Sequence, residues 1–251
     1  MTIVHVHIER TGGVFLQDLY ERKYPGSGML WYNTRDNLFA PFNIKTANYT
    51  KNWQLKLYAF IARRLPSIRF LMIKLRTWRR KRQAVPLKNL SSATVVIGHF
   101  AVNKILPYLP SNQHEYRTVI RDPLARMWSH FNHFQAHRGD VGQRVVPEHR
   151  ENMTFEEFAM LPEMKNYQTQ AIGLDLSIYK HIGITEKLES FCKNTGLTDK
   201  ASSREKINHF GNALPELTQD FLKAFKIFHD QDYRLYNSVL KINASDPHTS
   251  S

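Results

Sequence analysis

The hydrophobic pattern of the chain alternates between short apolar runs and longer stretches with helical spacing. An apolar run at about 2–8 predicts a strand, and the Thr-Gly-Gly within 9–13 predicts a turn. A helix is expected from about 13 to 23, broken by "YPGSG" at 24–28, with a polar, aromatic-rich loop after it. Residues 51–82 read as helical, interrupted at Pro66, with Leu55, Tyr58, Ile61, Ala62 and Leu65 at helical spacing. "ATVVIGHF" (93–100) and "YRTVIRD" (116–122) read as buried strands.

"DPLARMWSHFNHF" (122–134) opens a helix, with Asp122 as cap and Pro123 at the first helical position. Thr154 and Glu157 have the spacing of a capping box. Residues 179–196 predict a short strand, a cap at Thr185, a helix and a glycine stop at Gly196. Helices at about 215–229 and 233–241 complete the pattern, and 244–251 reads as a disordered tail. No internal repeat is present. Strands alternating with helices predict an α/β fold with a central, mainly parallel sheet flanked by helices. In such sheets ligands sit beyond the carboxyl ends of the strands.

Composition narrows this little. A length of 251 residues suits a single domain, read here as 1–243 with a basic helical insertion at about 50–90. Apolar content of 42% and aromatic content of 12% exclude a disordered chain. Cys192 is the single cysteine, which excludes an intramolecular disulfide and a thiolate zinc cluster. No run approaches a membrane span and no signal-peptide pattern opens the chain, so a cytoplasmic protein is the expectation. The four Asn-x-Ser/Thr sequons are then chance matches.

Charge changes the picture more. The formal net charge is +13, and between Asp36 and Glu115 there is no acidic residue at all. That interval holds 14 of the 35 Lys and Arg, leaving 21 to face all 22 acidic residues elsewhere. The basicity therefore belongs to one segment. At its centre, "RRLPSIRFLMIKLRTWRRKRQ" (63–83) mixes cations with Leu, Ile, Phe and Trp. Three readings fit: a helical insertion packed on the domain, a surface for an acceptor or an anionic membrane, or a nucleic-acid surface. No RNA- or DNA-binding motif accompanies the charge, so no nucleic acid is expected.

Two stretches carry candidate chemistry. The turn Glu9-Arg10-Thr11-Gly12-Gly13-Val14 joins strand to helix, and its glycines allow backbone N–H groups to point at an anion. Arg10 adds a cation, and the helix N-terminus adds its positive end. It is not a Walker A loop, which needs a longer loop ending in Lys-Ser/Thr. An ordinary connector has the same appearance. In the second stretch a strand delivers Arg121 at its carboxyl end, and the following helix carries Arg126 and Ser129. Arg121 suits a phosphate, and Ser129 can donate a hydroxyl to the same group. Alternatively, Arg-Asp-Pro is a capped helix start with a surface ion pair.

Taken together, His7-Ile8-Glu9-Arg10-Thr11-Gly12-Gly13 and Arg121-Asp122-Pro123-Leu124-Ala125-Arg126-Met127-Trp128-Ser129 resemble a known pair of motifs. They are similar to the nucleotide-binding elements of sulfotransferases that use 3′-phosphoadenosine 5′-phosphosulfate (PAPS). The likeness is nearest to the carbohydrate O-sulfotransferase branch that includes heparan sulfate 2-O-sulfotransferases. "IGHF" (97–100), "NYQTQAIG" (166–173), "IGITEKLESF" (182–191) and "DQDYRLYNSVL" (230–240) resemble further family segments in the same order. The likeness fails over about 24–92.

The resemblance implies a P-loop-like sulfotransferase fold with PAPS as sulfuryl donor and no metal. It implies that Arg10, Thr11, Gly12, Gly13 and Val14 hold the 5′-phosphosulfate, and that Arg121 and Ser129 hold the 3′-phosphate. Arg10 stands where the family has a lysine that stabilises the leaving group. Glu9 replaces a proline, and Val14 replaces a hydroxyl residue, so backbone amides must serve there. His99, just past "TVVIG", matches the family's Gly-His position and is the candidate base, with an imidazole that titrates in the useful range. A carbohydrate or glycolipid acceptor is implied, with peripheral contact to anionic membrane through 63–83 as one reading. Arg204, Lys206 and Asn208 fall where relatives carry a nucleotide-closing loop, although a polar surface loop reads equally well.

His5 is expected to face the core or a neighbouring strand. His130, His133 and His137 have a spacing compatible with ligation, but no acidic partner is evident, and packing or solvated roles are expected. Two other function classes remain. A P-loop-like nucleotide kinase is disfavoured by the missing Walker residues and the lack of a clear magnesium carboxylate. A non-catalytic basic membrane or nucleic-acid binding protein would depend on 63–83 and not on Arg10 and Arg121.

Overall fold

A computed structural model describes residues 1–24, 28–33, 37–41, 78, 81–136, 152–197 and 213–245. Most of the basic segment, the 203–212 loop and the tail after 245 lie outside the described residues.

The fold is mixed α/β, built on a six-stranded sheet in the order β3-β2-β4-β1-β5-β6. These strands are β1 (Ile3–Val6), β2 (Met29–Asn33), β3 (Leu38–Pro41), β4 (Val95–Gly98), β5 (Glu115–Ile120) and β6 (Tyr179–Ile184). All neighbouring pairs are parallel except β2 and β3. The described helices are α1 (Gly13–Lys23), α2 (Pro123–Ala136), α3 (Phe155–Ala159), α4 (Tyr167–Ile172), α5 (Leu188–Asn194), α6 (Gln219–Phe228) and α7 (Asp230–Ser245).

Alternation along β1 sorts its side chains between two layers. Val4, Val6 and Ile8 enter a core with Tyr32, Phe39, Val96, Tyr116 and Ile120, covered by Leu235 and Val239 of α7. Ile3 faces the other way, into a core with Leu16, Leu19 and Tyr20 of α1 and Leu188 and Phe191 of α5. His5 is on that second side, buried against the Tyr20 hydroxyl at 3.3 Å, as its apolar surroundings predict. Burial pushes its imidazole pKa down to about 3, with Arg117 acting in the same sense. A third core of Met127, Phe134, Phe155, Phe158 and Phe225 packs α2, α3 and α6 together.

The chain leaves β1 toward β2 on one side and leaves β5 toward β6 on the other. The carboxyl ends of the adjacent strands β1 and β5 thus form a switch point, where the diverging connections open a crevice. Both candidate stretches begin there.

Several local expectations need correction. The stretch after "YPGSG" is not a loop throughout, because Leu30 pairs with Val96 and brings β2 beside β4. "MLWYN" lacks alternation because both of its faces are covered, which hides a strand from period-2 reading. Thr185 is not a helix cap. Its hydroxyl donates to the Ile120 carbonyl at 3.1 Å, tying β6 to β5, and α5 starts later at Leu188. α6 begins at Gln219, since the Thr218 side chain accepts from the Phe221 amide. α7 begins at Asp230 and runs to Ser245, beyond the expected end of order at 243. The capping box at Thr154 and Glu157 forms with both reciprocal bonds, and Gly196 ends the α5 segment at φ 63°.

Candidate anion-binding and proton-transfer site

The turn after β1 is stapled from within. The Thr11 hydroxyl is buried and donates to the Ile8 carbonyl at 2.9 Å, so it braces the turn from inside. Gly12 has φ 87°, a left-handed conformation that glycine adopts without a Cβ penalty. Gly13 serves differently. A Cβ there would stand inside the buried His7 ring. Gly13→Ala is therefore expected to cost about 2 kcal/mol by overpacking, read as a lowered denaturation midpoint. An unchanged midpoint would mean that the His7 ring can swing clear.

Val14 lies in the first turn of α1, where no acidic residue offsets the positive end of the helix. Arg10 is held at φ 71°, a left-handed conformation that costs a non-glycine residue about 1 kcal/mol. Contacts with the second stretch hold it there. Arg10 Nε donates to Ser129 Oγ at 3.2 Å, and its carbonyl accepts from Arg121 Nη1 at 3.3 Å. Residues separated by more than 110 positions thus meet at Arg10.

Arg121 is itself fixed. Its amide donates to Gln168 Oε1 at 2.9 Å, and its carbonyl accepts from Gln168 Nε2 at 2.9 Å. Gln168 is placed by α4, whose first amides donate to the buried Asp232 carboxylate of α7, at 3.2 Å from Gln168 and 2.8 Å from Thr169. The Thr169 hydroxyl adds a further bond of 2.8 Å. Asp122 caps α2 by accepting the Ala125 amide at 2.8 Å. Ser129 then falls two turns along, facing the loop.

Arg126 makes its contacts elsewhere. It is 1% exposed, stacks 4.7 Å over the Tyr167 ring and donates from Nη1 to His130 Nδ1 at 3.3 Å. That bond leaves the His130 proton on Nε2, which faces Glu9 Oε2 at 3.1 Å. Glu9 is the acidic partner that spacing did not reveal for His130. Burial would raise the Glu9 carboxyl, but the His130 contact and nearby positive charge outweigh it and hold it well below the carboxylate range.

His99 follows β4 on the other flank of β1. Its Nδ1 donates to the His7 carbonyl at 3.1 Å, because a carbonyl can only accept. Nε2 of the neutral ring is thereby left without a proton and able to accept one. The ring lies between His7, 4.6 Å away between centroids, and Trp31 of β2, edge-on at 5.7 Å. Burial lowers the His99 pKa below 6.5, while Glu9 and the His7 carbonyl oppose the shift. His99 is therefore neutral at pH 7. His7 is held still lower, by burial and then by His99.

The structure thus places Arg10, Thr11 and Gly12 in the turn and Gly13 and Val14 at the start of α1, sets Arg121 and Ser129 against Arg10, and puts His99 across β1. Sequence reading missed Gln168, Asp232, His7 and Trp31 as supports of the site. The Asn-x-Gln-Thr and terminal Asp segments were visible, but their connection to Arg121 was not. Among the described residues no group of three or more His, Cys, Asp or Glu could hold a metal ion. No described helix is long and apolar enough to cross a membrane.

Fold and site together define an α/β protein with two arginines and a serine gathered at a sheet switch point and an imidazole on the other flank of β1. No family model matches the chain, and no curated protein matches it. Among solved structures, mouse sulfotransferase SULT7A1 complexed with PAP is similar at 13% identity and a TM-score of 0.38. That match spans 99% of this chain and 87% of the other.

Proposed function

We propose that the chain is a PAPS-dependent O-sulfotransferase acting on a hydroxyl of a carbohydrate or glycolipid. The observation that carries this reading is the meeting of Arg10 and Arg121 with Ser129 beside a glycine turn at a helix N-terminus. Such an arrangement suits a ligand with two anionic groups. In this reading the amides of 11–14 hold the 5′-phosphosulfate, and Arg121 and Ser129 hold the 3′-phosphate.

His99 Nε2 takes the proton of the acceptor hydroxyl while the acceptor oxygen bonds to sulfur. The bond from sulfur to the bridging oxygen breaks, and adenosine 3′,5′-bisphosphate leaves. The turn amides and the positive end of α1 around the moving sulfonate stabilise the transition state, and no metal is required. The basic segment 63–83 serves, in this proposal, to dock the acceptor or an anionic membrane surface, in a cytoplasmic protein.

Calorimetry on the purified chain tests the donor. Adenosine 3′,5′-bisphosphate is expected to bind at about micromolar Kd, with ATP and ADP at least about tenfold weaker. Tighter ATP binding would favour a kinase. Binding of none would leave the basic segment as the functional element.

A further inference from the structure

Within the sulfotransferase reading, we infer that Arg10 is a specificity-determining residue that reads the 3′-phosphate of the nucleotide and does not serve the leaving group at the 5′ end. Its side chain reaches α2, where Nε donates to Ser129 Oγ at 3.2 Å. Its backbone is bound to the same element, through Arg121 Nη1 on its carbonyl at 3.3 Å. The preceding residue repeats the pattern, with Glu9 Oε2 facing His130 Nε2 at 3.1 Å. Two successive loop residues thus lie along two successive residues of α2, which fixes the direction of the loop.

The left-handed φ of 71° at Arg10 is part of that direction. Arg10 and Arg121 are close enough for the charge of Arg121 to lower the proton affinity of Arg10, after burial and against the opposing effect of Glu9. A guanidinium bonded to a hydroxyl, with the charge of a second guanidinium close by, suits a single dianionic group. In this inference the turn amides and the positive end of α1 serve the 5′ end, while the Arg10 side chain serves the 3′ end. A nucleotide with a 3′-phosphate therefore gains from Arg10, and one with a 3′-hydroxyl does not.

The test compares adenosine 3′,5′-bisphosphate with adenosine 5′-monophosphate, which differ by the 3′-phosphate alone. Affinities are measured by calorimetry or competition for the wild-type chain and for Arg10→Ala, Arg10→Lys, Ser129→Ala and the Arg10→Ala/Ser129→Ala pair. Arg10→Ala is expected to weaken the bisphosphate about 30-fold and leave the monophosphate within about twofold. Arg10→Lys recovers part of the loss. The double variant loses less than the product of the single losses, because both residues serve one group.

Equal losses on both nucleotides, or strictly multiplicative losses with Ser129→Ala, would overturn the inference and return Arg10 to the 5′ end. Thermal unfolding of each variant separates these results from misfolding, and Arg10→Lys supplies the comparison if Arg10→Ala is unstable. A wild-type chain that binds neither nucleotide would overturn the sulfotransferase reading itself, and this inference with it.

Discussion

Arg121→Ala is expected to weaken adenosine 3′,5′-bisphosphate binding by at least about 100-fold, a loss of about 3 kcal/mol. Arg121 combines a cation with a fixed approach. Its peptide group is held on both sides by Gln168, and Gln168 is held through α4 by the buried Asp232. The guanidinium is thus positioned before any ligand arrives, and little ordering entropy is lost on binding. The alanine variant keeps both backbone bonds, so its far-UV circular dichroism should be unchanged while calorimetric heat disappears. Binding retained within about threefold would separate Arg121 from the nucleotide and leave it as a brace for the Arg10 carbonyl.

His99→Ala is expected to reduce turnover about 1,000-fold while bisphosphate affinity stays within about twofold. The reason is the tautomer. With Nδ1 engaged by the His7 carbonyl, the free lone pair is on Nε2, and the ring cannot rotate without losing that bond. The pH profile follows from the direction of its shift. Burial disfavours the imidazolium and lowers the midpoint of the ring below 6.5. Turnover should then rise from acid pH through a midpoint below 6.5 and level off by neutrality. A midpoint above 6.5, or turnover surviving in the alanine variant, would remove His99 as the base.

The two predictions fail independently, since one concerns binding and the other turnover at retained binding. Arg10 occupies an intermediate place. As a leaving-group cation, its loss would resemble that of His99 in turnover and act alike on nucleotides with and without a 3′-phosphate. As a reader of the 3′-phosphate, its loss resembles a milder Arg121→Ala.

Local chemistry made much of the molecule legible in the sequence. The apolar runs at β1, β4 and β5, the Asp122 cap with Pro123, and the capping box at Thr154 are decided by residues within a few positions of one another. Their patterns survive any tertiary arrangement, and from them the α/β class and the positions of both candidate stretches followed. β2 and β3 were missed for the opposite reason. A short strand covered on both faces carries no alternation, and its identity comes from Leu30 and Trp31 finding partners in β4.

The geometry of the site was decided by tertiary structure. Whether the turn after β1 would face Ser129 or stand apart depends on β5 lying next to β1, and no local pattern encodes strand order. Gly13 looked like a flexible turn residue, yet it is glycine because the His7 ring occupies the space of its side chain. His130 lacked an acidic neighbour on its own helix and found one in Glu9, on another element 121 positions earlier. The sequence by itself determined which groups could bind an anion or move a proton. Packing of the sheet determined which of them meet, because distance in the fold is set by strand order and not by spacing along the chain.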